Sequence, residues 1–140
     1  MQRNLAILSL AAVIVSLATL AYAGAGVGMR ISVPFDFYLE DQLLPNGEYN
    51  FVMDSSNHAT ASQVTLWSTQ GTVQKMVLTS PGTERNTTVN QLSFNKYGKR
   101  YFLSTVTISG HKATVKMLKL ERELRSQMEK NPTTITVAQK

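Results

Sequence analysis

Apolar and polar residues alternate through positions 31–40, with Ile31, Val33, Phe35, Phe37 and Leu39 set between Ser32, Pro34, Asp36, Tyr38 and Glu40. A period of two sends successive side chains to opposite faces, so the segment predicts a strand with one face in a core. Pro45-Asn46-Gly47 predicts a turn, because proline pre-sets the first central dihedral and Asn or Gly accepts a positive one. Tyr49, Phe51 and Met53 resume the alternation, so two consecutive and mutually paired strands are expected. Pro34 has no N–H to give a ladder, which places an edge or a bulge in the first strand.

The same rhythm runs on. Residues 63–68 predict a strand with Val64 and Leu66 on one face and Thr65 and Trp67 on the other. Residues 72–79 predict another, but Met76 and Leu78 oppose Val73 and Val77, so its inward side stays open. Residues 54–62 and 80–86 read as loops, the second marked by the turn pair Pro81-Gly82. Residues 87–94 and 100–109 flank Asn95-Lys96-Tyr97-Gly98-Lys99 as a hairpin, a turn follows at residues 109–112, and residues 113–115 add a short strand. Then the period changes. Met117, Leu120, Leu124 and Met128 form one stripe of a helix, with opposite charges spaced i,i+4 at Lys119/Glu123, Glu121/Arg125 and Arg125/Glu129. Asn131-Pro132 ends it, and residues 133–138 return to β-forming types that would close a sheet edge within one molecule. The expected fold is mainly β, a small antiparallel β-sandwich or barrel with one C-terminal helix.

Val33-Pro34-Phe35-Asp36-Phe37, followed by Leu44-Pro45-Asn46-Gly47-Glu48-Tyr49 and by short strands ending near Tyr101-Phe102-Leu103-Ser104, resembles a family of small secreted β-rich proteins typical of acidobacteria. The resemblance covers most of the chain after residue 30. It implies export and a small β fold, and it brings no reaction and no site residues.

The N-terminus changes the picture of compartment. Arg3, an apolar run over residues 5–20 and the small-x-small pattern Ala21-Tyr22-Ala23 read as a signal peptide over residues 1–23, cleaved before Gly24. The alternative is a retained anchor, since the run approaches the roughly 20 residues a spanning helix needs. Residues 24–30 then form a flexible spacer, 31–116 the β domain, 117–130 the helix and 131–140 the tail. A secreted or periplasmic monomer follows, with no membrane span after cleavage. The absence of cysteine excludes disulfides and lipoprotein acylation, so packing must supply stability.

Without the leader there are 13 basic against 9 acidic side chains, unevenly placed. Residues 24–95 hold three basic and six acidic groups, and residues 96–140 hold ten basic and three acidic, net −3 and +7. Such a basic half can meet an anionic polymer or lipid.

Candidate chemistry is sparse. His58 and His111 are the only histidines, each in a polar loop, and no Ser/His/Asp or Cys/His signature surrounds them. Glu40, Asp41 and Asp54 lack calcium-loop spacing, and the Gly24-Ala25-Gly26-Val27-Gly28 run precedes a strand where a phosphate loop would follow one. Tyr97, Lys99, Arg100, Tyr101 and Phe102 cluster as in a nucleic-acid platform, yet Tyr101 and Phe102 fall on opposite faces and export removes the usual ligand. Asn86-Thr87-Thr88 matches a glycosylation pattern without consequence. The reading is an exported, non-catalytic β module with a binding or structural role in the cell envelope, with no catalytic, cofactor or metal residues. The alternatives are a small hydrolase-type or carbohydrate-active enzyme with an unrecognised site, and anionic-polymer binding through the basic C-terminal half.

Overall fold

The computed structural model describes residues 26–54, 62–71, 73–82, 88–128 and 131–140. Expectations for the leader and its cleavage site, His58, Asn86 and Glu129 lie outside the described residues. The described elements are β1 (Gly26–Val33), β2 (Phe37–Leu39), β3 (Gln42–Leu44), β4 (Gly47–Asp54), β5 (Ser62–Ser68), β6 (Gln74–Gly82), β7 (Gln91–Tyr97), β8 (Arg100–Ile108), β9 (His111–Val115), α1 (Lys119–Gln127) and β10 (Thr133–Ala138).

All ten strands join one sheet in the order β1-β4-β5-β6-β9-β8, with β7 and then β10 continuing beyond β8. β2 and β9 share the other edge of β8, where Tyr38 opposite Phe102 makes a parallel contact in an otherwise antiparallel ladder. The sheet is open, with β1, β3 and β10 each having a single ladder neighbour. One face of nearly every strand feeds a single cluster, including Ile31, Phe37, Phe51, Leu66, Val77, Phe94, Val106 and Ala113. A sheet that buries one face against itself has to curl, and β1 approaches β8 although the two are not ladder neighbours.

The paired motifs organise this core. β1 and β4 pair antiparallel with Ile31 opposite Tyr49 and Met29 opposite Phe51, as the alternation predicts. The first strand is shorter than expected, because Pro34 ends β1 and the chain re-enters the sheet as β2, paired with β3 and β8. The Asp36 carboxylate accepts the Asn46 N–H at 2.7 Å, and the Tyr49 hydroxyl donates to the Pro45 carbonyl at 2.6 Å. Phe35 stacks on Tyr101 at 3.9 Å and meets Phe94 edge-on at 5.0 Å. The residues of these two motifs are therefore spent on packing and turn closure. At the β2–β3 turn Glu40 takes a positive φ of 56°, and Lys75 pins it by donating to the Leu39 carbonyl at 3.0 Å and pairing with the Glu40 carboxylate at 3.6 Å.

Four expectations need correction. Residues 26–30 are strand and not spacer, because eight consecutive residues of β4 offer them a ladder that overrides their glycines. Pro81 and Gly82 are extended at the end of β6 opposite Ala113 and Lys112, where a proline costs no interior ladder bond. The hairpin strands are β7 and β8 joined by only Gly98 and Lys99, with Gly98 at φ 61° supplying the conformation a two-residue turn needs. β9 starts at His111, since Ser109 and Gly110 alone turn the chain, both with positive φ.

The tail does close an edge. β10 pairs antiparallel with β7 from Thr133 opposite Lys96 to Ala138 opposite Gln91, and Val137 packs against the core. The helix runs from Lys119 to Gln127, inside the expected 117–130, and Glu121 is its buried residue while Leu120 and Leu124 are half-buried. Among the described residues no helix is long and apolar enough to cross a membrane, a statement about helices alone.

Candidate functional site

The outer face of the sheet carries the features that packing leaves over. Over β7 and β8, Phe102 is 1% exposed and Tyr97 3% exposed, although both belong to the face turned away from the main core cluster. Tyr38 stacks on Phe102 at 4.8 Å, and Tyr97 meets it edge-on at 5.7 Å. α1 lies above them and lowers Glu121 into contact, so that one carboxylate oxygen accepts from the Tyr97 hydroxyl at 3.0 Å and from the Asn95 amide at 2.9 Å. Burial pushes the Tyr97 hydroxyl up to about 12, helped by the Glu121 charge and the hydrogen bond to it and opposed by Arg125. Two neutral donors satisfy the buried charge, which would otherwise be costly.

Among the described residues nothing comparable is laid down over β5 and β6. Trp67, Met76 and Leu78 project outward at 36%, 60% and 69% exposure. The register sets Thr65 opposite Met76 and Trp67 opposite Gln74, so the indole lies diagonal to the Met76 side chain on one face. Val52, opposite Thr65, extends the strip towards β4. The inward side of β6, open in the sequence, is thus Val77 and Thr79.

Three surface depressions line this strip. One of about 370 Å³ lies between Trp67, Gly71, Val73 and Gln74, and one of about 280 Å³ between Trp67, Val52, Arg30 and Gln139. The third, about 720 Å³, runs from Leu78 and Ser80 across Thr114 and Thr105 to Lys116, Met117 and Glu121. Its size falls within the range of ligand sites, and its apolar end is continuous with the strip.

The sequence candidates for chemistry do not converge. His111 is exposed at the β8–β9 turn, Asp41 is exposed, Glu40 is engaged by Lys75, and Asp54 ends β4. Among the described residues no three His, Asp or Glu side chains gather as a metal site. Packing splits the aromatic cluster, with Tyr97 and Phe102 in contact on the outer face and Tyr101 stacked on Phe35 with the Lys96 ammonium 5.4 Å from its ring centre. Sequence reasoning missed Met76 and Leu78 as surface residues, although apolar types on both faces of residues 72–79 were the signal. It also took Glu121 for an i,i+4 partner of Arg125, because helical periodicity ranks a carboxylate as a solvent-facing position. Comparison with models of known protein families, with curated proteins and with solved structures finds no match.

Proposed function

We propose that the chain is an exported, non-catalytic β module that binds a partner in the cell envelope, secreted or periplasmic once its leader is removed. The observation that carries the reading is the outward strip Trp67, Met76 and Leu78, running into the 720 Å³ groove beside α1. A strand with one face in a core normally gives its other face to polar residues, and contiguous exposed apolar side chains mark interaction sites. The carboxylate of the groove, Glu121, is already engaged by Asn95 and Tyr97, which favours binding over catalysis. We read the curled sheet as a barrel left open between β1 and β10, which the alternating strand directions leave antiparallel to each other.

Retention of the purified protein on the envelope fraction of the producing cell tests this. The wild-type chain is expected to be retained and the folded Leu78→Asp variant lost. Equal retention of both, or retention of neither, contradicts the reading. Mass spectrometry of the exported chain is expected to place its first residue at or near Gly24, and an intact Met1 would reject leader cleavage.

A further inference from the structure

Resting on that reading, we propose that the outer face of β5 and β6, bordered by Lys116, docks onto an anionic lipid surface. Two independent properties select this occupant. The first is shape. Trp67, Met76 and Leu78 stand out from a broad sheet face instead of lining a closed cavity, which suits insertion among headgroups better than enclosure of a small molecule. Tryptophan in particular gains at such a boundary, where its ring meets an apolar layer and its N–H a wet one.

The second is charge. Lys116 lines the groove beside Leu78, and Arg122 is exposed on the first turn of α1, the helix whose Glu121 lines the same groove. Among the described residues the acidic groups nearby have these positions. Glu48 is paired with Arg30 at 2.6 Å, Glu123 with Lys119 at 3.8 Å, and Glu121 faces Asn95 and Tyr97 beneath the surface. Asp54 lies on the far side of Gln63 from Leu78 and is the acidic group at the opposite border. Residues 96–140, which supply Lys116 and the α1 side of the groove, carry a net +7, a balance that favours an anionic surface.

Trp67 is the single tryptophan of the chain, so its emission reports this face directly. The test titrates the protein, purified in the form the cell exports, with vesicles of equal parts phosphatidylglycerol and phosphatidylcholine and with vesicles of phosphatidylcholine alone. Anionic vesicles are expected to shift Trp67 emission to the blue and to sediment the protein, with an effect that weakens as salt is raised. Met76→Ser with Leu78→Ser, checked for an unchanged circular dichroism spectrum, is expected to weaken partitioning by about tenfold. Lys116→Glu, remote from the core, is expected to weaken it by about fivefold or more. Unchanged emission, an equal response to neutral vesicles, or a serine variant that partitions as well as the wild type would overturn the proposal. If vesicles leave Trp67 unchanged while the envelope fraction still retains the wild type and not the Leu78 variant, the lipid surface is wrong and the binding module stands.

Discussion

The outer face of the sheet is finished in two ways within one chain. Over β7 and β8 the outward aromatic residues Tyr97 and Phe102 are covered by Tyr38 and α1, and the covering layer brings in a carboxylate that accepts from the Tyr97 hydroxyl and the Asn95 amide. Over β5 and β6 the outward Trp67, Met76 and Leu78 remain bare. Both regions break the apolar-in, polar-out alternation of a one-sided sheet, yet only one break is repaired by the chain itself. The repaired region belongs to the fold, and the bare one is available to something else.

The contrast is sharpest in stability. Phe102→Ala is expected to cost about 3–5 kcal/mol in urea denaturation, as for a buried phenylalanine, whereas Met76→Ala should stay within about 0.5 kcal/mol. A loss above about 2 kcal/mol at Met76 would break the comparison, since the side chain would then be covered. Deleting residues 133–140 strips β7 of its outer partner strand and is expected to turn a monomer into associating species by size-exclusion chromatography with light scattering. A truncated chain that stays monomeric beside an oligomeric full-length protein would instead make β10 a donor strand.

The covered region should also show in alkaline titration. The folded-state value of Tyr97 lies above the unfolded value of 10, so the folded chain holds the proton more tightly. Its contribution is therefore complete below pH 10 and lost as pH rises towards about 12, at most about 3 kcal/mol. Tyr97→Phe is expected to flatten that slope while lowering stability at neutral pH, where Glu121 loses a donor. Leu124→Ala should cost only about 1 kcal/mol, because the side chain is half-buried. Arg30→Ala should also cost less than about 1 kcal/mol, since its pair with Glu48 is solvated.

Much of the inner face was legible from alternation alone. Ile31, Tyr49, Phe51, Val64 and Leu66 fall inward because the period of two leaves them no other choice. The tail's return to β types likewise announced β10. What escaped detection depends on partners distant in sequence. Gly26 to Arg30 reads as a spacer until β4 is alongside, and Pro81-Gly82 reads as a turn until β9 supplies an extended partner. Glu121 could not be placed inside by periodicity, since only Asn95 and Tyr97, more than twenty residues earlier, make its burial tolerable. The outward apolar strip was present as an ambiguity, because apolar residues on both faces of β6 look the same to pattern analysis whether the second face meets a core or solvent.

Acrylamide quenching of Trp67 in the free, folded protein tests the division of the outer face most directly, because no other tryptophan contributes. At 36% exposure the indole is expected to be quenched readily, with a constant roughly a third to a half of that in the urea-unfolded chain and an emission maximum typical of a partly wet site. Emission at short wavelength that resists quenching would mean that the strip over β5 and β6 is covered by the chain itself, contradicting the account.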